Sequence, residues 1–257
     1  MHNFIKPFVA PVMKRRKWNR ICEIGSSLGE ATELLRGIPR LEITTIDPCV
    51  DCDLQQKFAS DARIDIRKGL SLEVLPTLDN PYDCILIDGD HNWYTVYNEL
   101  RVISERNLLR KGGIIFFHDV TWPWARRDLY YSLDTIPEKY RNPWTESGIV
   151  RAKNELPGDS GMFAGFKKSV SEGGEHNGVL TAIEDFRKQH KGEYLYFGVI
   201  AGSGLGIMLY RGGFWDELSF LALAFKGVVY NAAFRALQVA KGKIPARIPP
   251  RDAVRGG

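Results

Sequence analysis

Short apolar runs alternate with helix-length amphipathic segments from residue 19 onward. Runs that are apolar on both faces are typical of strands in a parallel sheet covered by helices on both sides. The pattern predicts strands over residues 20–24, 41–46, 64–66, 82–87 and 113–117. Helices are predicted over residues 29–36 and 93–106. We therefore expect a doubly wound α/β fold with a mostly parallel, Rossmann-like sheet, whose ligands bind at the carboxyl ends of the strands.

The second half of the chain departs from this rhythm. Residues 121–161 are rich in aromatic residues and prolines, and we predict an insertion that acts as an acceptor lid, because long insertions in compact domains are usually functional. After it we predict a strand over 162–166, a loop over 171–178 and a helix over 179–190. Strands over 194–200 and 205–210 are joined by a short glycine-containing connection, which favours a C-terminal antiparallel hairpin.

The chain is predicted to have an N-terminal arm (1–18), a main domain (19–212) and a C-terminal helix with a basic tail (213–257). The helix, over residues 215–240, has a wide apolar face with Lys226, Arg235 and Lys241 beside it. We expect this face to pack on the domain or to form a dimer interface. A helix that lies on a membrane surface is the alternative.

Composition narrows the class of protein. The 257 residues are 44% hydrophobic and 26% charged, which excludes a disordered or collagen-like chain, and we predict no membrane-spanning helix. A net charge of +4 is too small to indicate nucleic-acid binding. The absence of a signal-peptide pattern and the placement of most of the four cysteines in strand-like runs predict a reduced, cytoplasmic protein, with Cys49 and Cys52 as ordinary loop residues.

The first predicted strand leads into a glycine-containing turn, Gly25-Ser26-Ser27-Leu28-Gly29, and then a helix. Glycine permits a sharp turn and close ligand approach, and the helix N-terminus presents free N–H groups. Ser27 stands where the second glycine of a dinucleotide-binding motif would be, which argues against an oxidoreductase. Glu23, at the end of the strand, is predicted to hold a cationic amine.

The next two strands end in groups suited to a nucleoside. Asp47 closes the second strand and is placed to bind the two hydroxyls of a ribose. Gly69, Leu70 and Ser71 follow the third strand, where an adenine ring could lie against backbone and hydroxyl. One ligand combines an ammonium group, a ribose and an adenine. The predicted cofactor is S-adenosylmethionine.

Two further motifs are Leu86-Ile-Asp88-Gly89-Asp90-His91 and the segment from Leu108 to Val120, which contains Gly112-Gly113 and His118-Asp119. Together with the glycine turn, these motifs resemble those of the class I methyltransferases. The resemblance covers residues 19–120 and, by pattern, also residues 178–210. More narrowly, the sequence resembles the small metal-dependent O-methyltransferases that include macrolide-sugar O-methyltransferases.

The resemblance implies a divalent metal, Mg²⁺ or Mn²⁺, held by Asp88, His118 and Asp119. His118 stands where the family often has an acid, which would shift the preference toward Mn²⁺ or Fe²⁺. By its spacing from Asp88, His91 is implied to be the general base, with Asp90 as the alternative. In a metal-free alternative, Asp88 binds the methionine amine of the cofactor.

We therefore expect an S-adenosylmethionine-dependent O-methyltransferase that acts on a hydroxyl of a sugar-containing or polyol small molecule, and the resemblance implies a homo-oligomer. Metal-free methylation of a hydroxyl or amine is one alternative, and a non-catalytic nucleoside-binding protein at a membrane is another. His176 is a further loop residue that could fold over the site. Aromatic side chains predicted to form a wall for the acceptor are Trp93, Tyr94, Trp122, Trp124 and Trp144.

Overall fold

The computed structural model describes residues 1–49, 52–151 and 161–241. The strands are β1 (Arg20–Ile24), β2 (Glu42–Asp47), β3 (Ile64–Lys68), β4 (Tyr82–Ile87), β5 (Leu109–His118), β6 (Leu129–Tyr130), β7 (Trp144–Thr145), β8 (Lys167–Ser169), β9 (Tyr194–Val199) and β10 (Leu205–Tyr210). The helices are α1 (His2–Phe4), α2 (Ala10–Arg16), α3 (Glu30–Arg36), α4 (Cys52–Phe58), α5 (Ser71–Val74), α6 (Trp93–Glu105), α7 (Val179–Gln189) and α8 (Phe214–Ala240).

Seven strands form one sheet in the order β3-β2-β1-β4-β5-β10-β9. Strands β1 to β5 pair in parallel, and β10 runs antiparallel to both of its neighbours, β5 and β9. The predicted doubly wound fold with a C-terminal antiparallel hairpin is thereby confirmed. The parallel strands all end at one edge of the sheet, and this carboxyl edge carries the site described below.

Helices cover both faces of the sheet, so the strands are buried on both sides. Every residue of β4 is buried. One apolar layer includes Leu35 of α3 together with Phe220 and Leu223 of α8, and the other is built around α6 and α7. The N-terminal segment belongs to the first layer. Rather than a free arm, residues 2–16 form α1, a π-helical segment (Ile5–Val9) and α2, which bury Phe4 and Phe8 against the sheet.

The predicted strand over residues 162–166 is wrong. Met162 makes only an isolated bridge with Ile149, and the chain then turns. Phe163 and Gly165 both have positive φ angles, of 62° and 84°, which a strand cannot accommodate. The strand begins later, as β8, which is the centre of a small sheet in the order β6-β8-β7. Residues 152–160 of the predicted insertion lie outside the described residues.

Helix α8 is longer and more exposed than a typical surface helix. Its 27 residues have a mean hydropathy of 1.3 over the most apolar window, only 17% of which is buried, so α8 is long and apolar enough to cross a membrane. No segment that meets this criterion was anticipated from the sequence. Length and composition alone do not establish a span, because buried helices of soluble proteins meet the same criterion. The basic tail beyond residue 241 lies outside the described residues.

Candidate active site

A cavity of about 610 Å³ opens at the carboxyl edge of the sheet, where β1, β2 and β4 end. A volume of this size suits a cofactor or a drug-sized ligand. Its lining residues are Ile24, Gly25, Ser27, Ile46, Asp47, Pro48, Cys49, Leu70, Ser71, Asp88, Gly89, Asp90, Tyr131, Ser132 and Thr135. The cavity therefore joins the glycine turn after β1 to the acidic residues after β4.

The turn after β1 needs glycine at its first position. Gly25 has a φ of 86°, and a Cβ added there would lie 2.4 Å from the carbonyl oxygen of Asp88. The backbone of β1 and that of the Asp88 loop can therefore approach each other only if residue 25 has no side chain. This contact brings Asp88 next to the turn that leads into α3.

Asp47 at the end of β2 is held by the same turn. Its carboxylate accepts hydrogen bonds from the backbone N–H groups of Ser27 and Cys49, each at 2.8 Å. It is almost entirely buried, yet it lines the cavity. Since a carboxylate has about four acceptor positions, Asp47 keeps acceptors for hydroxyl groups of a ligand. Its place agrees with the predicted ribose-binding role.

The loop after β3 contributes Leu70 and Ser71 to the cavity, while Gly69 lies behind them and donates its N–H to the carbonyl of Asp47 at 3.2 Å. The Ser71 hydroxyl donates to Oε1 of Glu99 at 2.5 Å. Sequence interpretation missed Glu99, a fully buried carboxyl on α6 whose burial raises its pKa to about 8. The available signal was an acidic residue beside Val96 and Leu100, on the apolar side of the helix.

Besides Gly69, three residues predicted to bind the cofactor do not line the cavity: Glu23, Ser26 and Gly29. Glu23 is buried, and its carboxyl accepts a hydrogen bond from the hydroxyl of Thr32 at 2.5 Å. Burial raises the pKa of Glu23 to about 7. The Gly29 N–H donates to the Ser26 carbonyl at 2.8 Å, so these two residues build the turn. In this structure all three residues support the cavity without lining it.

Beside the cavity, the ends of β4 and β5 and the start of α6 bring four ionisable side chains together: Asp88, His91, His118 and Asp119. Their nearest ligand atoms all lie within 4.8 Å of one another. His118 Nδ1 is 2.9 Å from Asp88 Oδ1 and 2.8 Å from Asp119 Oδ2, and His91 Nε2 is 2.6 Å from Asp119 Oδ2. We call these four residues the acid–histidine cluster.

The members of the acid–histidine cluster stabilise each other's charges. For Asp88, burial raises the pKa, but hydrogen bonds from His118 and His91 outweigh it and hold the pKa well below its usual range. For Asp119 too, hydrogen bonds from the two histidines outweigh burial and lower the pKa. For the imidazoles, burial lowers the pKa, but the two carboxylates outweigh it and raise the pKa to about 10 for His91 and about 8 for His118. The amino group of Met1 also lies 2.5 Å from Asp88.

The donor set of this cluster fits a divalent cation. It offers two carboxylates and two imidazoles, which are the ligand types that Mn²⁺ and Fe²⁺ accept more readily than Mg²⁺ does. Asp119 has a φ of 57°, an uncommon value for a residue with a side chain, and such backbone positions concentrate at functional sites. The three predicted metal ligands, Asp88, His118 and Asp119, are thus brought together.

His91, the predicted base, is the fourth member of the cluster rather than a separate residue. It is buried, its Nδ1 has no hydrogen-bond partner among the described residues, and its ring meets Tyr131 edge-on at 5.9 Å. Asp90, the alternative base, lines the cavity and accepts a hydrogen bond from the Thr95 hydroxyl at 2.9 Å. Burial raises the pKa of Asp90.

The acceptor wall is not built from the predicted side chains. Trp93 and Trp124 are buried, and none of the five predicted aromatic residues lines the cavity. His176 packs on Trp93, with ring centroids 4.0 Å apart, and is not among the residues that line the cavity. Tyr131, Ser132 and Thr135 of the insertion line the cavity instead. The insertion therefore reaches the site as predicted, but through other residues.

Residues 22–120 match the family model described as a methyltransferase domain. Similar solved structures include SAH-bound methyltransferase PaMTH1 of Podospora anserina, at 18% identity and a TM-score of 0.49, covering 78% of this chain and 75% of that one. Another is the O-methyltransferase TomG of Streptomyces achromogenes, which is involved in tomaymycin synthesis and was solved in complex with SAM. It has 16% identity and a TM-score of 0.48, and the match covers 78% of this chain and 77% of TomG. A putative caffeoyl-CoA O-methyltransferase of Staphylococcus aureus has 17% identity and a TM-score of 0.48, covering 79% and 81%.

No curated protein sequence matches the chain. The likeness to the solved structures is too distant to carry an argument about this chain. The family match is more direct, because residues 22–120 include the glycine turn, Asp47, Ser71 and the whole acid–histidine cluster. The doubly wound sheet and its C-terminal hairpin agree with that match. Over residues 22–120, the chain is therefore similar to a methyltransferase domain.

Proposed function

We propose that the protein is an O-methyltransferase that uses a divalent cation, Mg²⁺ or Mn²⁺, to methylate a hydroxyl of a sugar-containing or polyol small molecule. The observation that carries this proposal is the acid–histidine cluster, which adjoins the cavity through Asp88. A cation there would be held by Asp88, His118 and Asp119. In the same proposal the nucleoside lies against Asp47 and Ser71, which also line the cavity.

The roles of the ligands are simple. S-adenosylmethionine supplies an electrophilic methyl group, and a divalent cation supplies positive charge that makes a hydroxyl more acidic. The protein positions both reactants, and for direct methyl transfer this positioning is the main contribution to rate. Asp47 and the backbone of the glycine turn orient the nucleoside, and the acid–histidine cluster orients the acceptor oxygen.

His91 is the proposed general base. Its Nε2 is directed at Asp119, which orients the ring. Because Asp119 and Asp88 raise the pKa of His91 to about 10, the imidazole would act as a base once a cation held by these carboxylates offset their charge and left the ring neutral. Asp90 is the alternative base because its carboxyl lines the cavity. In either case the proton leaves the acceptor oxygen for a side chain at the start of α6.

The polyhydroxyl acceptor is supported by the lining of the cavity near the insertion. Tyr131 offers an aromatic ring, and Ser132 and Thr135 offer hydroxyl groups. Aromatic rings pack on apolar sugar faces, while hydroxyl side chains exchange hydrogen bonds with sugar hydroxyls. This combination favours a sugar or polyol over a purely apolar acceptor.

The test is a paired acceptor screen. The purified protein and S-adenosylmethionine are incubated with glycosylated compounds and the matching aglycones, with Mg²⁺, with Mn²⁺ and after chelation, and the methylated product is located by mass spectrometry. We expect methylation of a sugar hydroxyl that stops on chelation and returns with metal. Methylation of an amine, or a rate unchanged by chelation, would contradict the proposal.

Metal-independent methylation is the second candidate, and one observation favours it. Both imidazoles already pair with the two carboxylates, and the Met1 amino group shows that Asp88 can pair with an ammonium group. In this candidate Asp88 binds the methionine amine of the cofactor. Full activity after chelation, with loss of cofactor affinity in Asp88→Asn, would select it over the metal-dependent proposal.

We also propose a cytoplasmic location. Cys22, Cys49 and Cys84 are free thiols, and Cys22 and Cys84 are buried in the sheet. Free thiols persist in reducing compartments. Thiol labelling of the denatured protein from intact cells, without prior reduction, would show all cysteines reduced, whereas disulfides would contradict this location.

A further inference from the structure

Helix α8 has two opposite faces, and among the residues that the structure describes only one of these faces is packed against other elements. Phe220, Leu223 and Gly227 are buried against the sheet. A Cβ added at Gly227 would lie 2.4 Å from the ring of Phe197, so the glycine allows α8 to lie directly on β9. Asn231 strengthens this contact by accepting a hydrogen bond from the Ile200 N–H at 2.7 Å.

The other face of α8 is exposed and apolar. Phe214, Leu218, Leu221, Phe225 and Val228 recur every three or four residues, so they lie along one side of the helix. Each is between 46% and 71% exposed. Further exposed apolar side chains on the same helix widen this side: Trp215, Val229 and Leu237. We call these eight residues the outer face of α8.

Basic residues flank the outer face. Lys226 lies to one side of it and Arg235 to the other. On the Lys226 side, a groove of about 130 Å³ between α2 and α8 is also lined by Arg15 and Arg16. In sequence, residues 242–257 add four basic residues and one acidic residue.

The acidic residues of α8 do not offset this charge. The helix has only two, Asp216 and Glu217, both in its first turn. Asp216 pairs with Arg16 at 2.7 Å, and Glu217 pairs with Arg211 at 2.8 Å. Arg15 makes no ion pair with any residue that the structure describes. The surroundings of the outer face are therefore positively charged.

We propose that α8 binds an anionic lipid surface, with its outer face in the acyl region and Arg15, Lys226 and Arg235 at the headgroups. A long apolar face with basic residues at its borders is typical of helices that lie in the membrane interface. The helix lies in the plane of the membrane rather than across it, because its inner face stays packed on β9 through Gly227 and Asn231.

A second copy of the chain is the other occupant that the outer face could take. The flanking charges argue against it. Two outer faces packed together would bring basic residues against basic residues, and both acids of α8 are already paired within the chain. Anionic headgroups supply the opposite charge. Charge complementarity thus favours lipid over self-association.

The test is vesicle sedimentation of the full chain. The probes are vesicles of phosphatidylcholine alone and of phosphatidylcholine with an equal part of phosphatidylglycerol, at low and raised salt. The test variant is Leu221→Gln/Phe225→Gln/Val228→Gln. Its matched control is Met162→Gln/Phe166→Gln, which changes two exposed apolar residues outside α8. Circular dichroism and the sedimentation coefficient of each protein without lipid are measured alongside.

We expect binding to the phosphatidylglycerol vesicles that weakens in raised salt and is released by alkaline carbonate, as for a helix in the interface. The α8 variant should stay folded and bind at least about tenfold more weakly, because it loses buried apolar area, while the control binds as the native chain does. Equal binding by the α8 variant, no binding by the native chain, or resistance to carbonate would overturn the proposal. So would a lipid-free dimer that only the α8 substitutions dissociate.

Discussion

The two halves of the carboxyl edge are built by different means. Around Asp47 the polar groups are satisfied by backbone N–H groups of neighbouring loops, and the carboxylate has partners before any ligand arrives. At the ends of β4 and β5 the polar groups are charged side chains that satisfy one another. The hydrogen bonds of the first half are already formed without a ligand, whereas the ion pairs of the second half can rearrange when a ligand binds.

This difference predicts that a substitution in one half impairs a property of the protein that a substitution in the other half leaves intact. A substitution in the nucleoside half removes hydrogen bonds to the proposed cofactor and leaves the charges near β5 as they are. A substitution in the acid–histidine cluster leaves a buried imidazole or carboxylate without its partner, which is costly, and removes a ligand of the proposed cation. Substitutions in the two halves therefore distinguish cofactor binding from chemistry.

The largest expected effect is on the charged half. Asp119→Asn removes the carboxylate shared by His91 and His118, so we expect turnover to fall by at least about a hundredfold while S-adenosylmethionine affinity changes little. Steady-state kinetics and calorimetry measure the two quantities. Asp65→Asn is the control, because Asp65 is a half-exposed acid on β3 whose only ion-pair partner among the described residues is nearby Arg67. Parallel loss of turnover and cofactor affinity would show that the halves are not separate.

A smaller effect is expected in the nucleoside half. Asp47→Asn places an amide where two backbone N–H groups and the proposed ribose hydroxyls need acceptors, so cofactor affinity should fall by about tenfold to a hundredfold. Metal affinity should stay within about twofold, since Asp47 is not a member of the acid–histidine cluster. Calorimetric titrations with S-adenosylhomocysteine and with Mn²⁺ measure both. A weakened metal site with intact cofactor binding would reverse the assignment.

The smallest effect on activity is expected at Glu99, whose ionisation affects stability instead. Glu99 has a folded-state pKa raised to about 8, above the unfolded value of about 4.3, so the folded protein binds more protons between those values and loses stability as pH rises through that window. Glu99→Gln removes this dependence, up to about 1.4 kcal/mol per pH unit, and keeps an acceptor for Ser71. Urea unfolding at about pH 5 and about pH 8 measures it. A pH dependence identical to that of the native chain would show that Glu99 is ionised when folded.

Much of the site follows from local sequence, because strand ends and turns are local features. The positions of the glycine turn and Asp47, and the proximity of Asp88 to Asp119, all depend on parallel strands ending at one edge. Glu23 shows the limit of this reasoning. Neighbouring residues of a strand point to opposite faces, so the last acid of β1 turns toward Thr32 while Ile24 meets the cavity.

Features that depend on distant packing were not predictable. The burial of Trp93 and Trp124 depends on how the insertion folds against α6 and α7, which no local pattern contains. The packing of residues 2–16 on the sheet likewise depends on contacts with α3 and α8. In the sequence Tyr131 is one of many aromatic residues of the insertion. Its position beside His91 follows only from the fold.

The most direct test of the central claim is a calorimetric titration of the cofactor-saturated protein with Mn²⁺. If the acid–histidine cluster holds a cation, the native chain shows a single saturable site, His118→Ala/Asp119→Asn abolishes it, and Asp65→Asn keeps it. Absence of metal binding by the native chain, or an equal affinity in the double variant, would contradict the metal-dependent account and leave the cluster as a charge-balanced pair of acids and histidines.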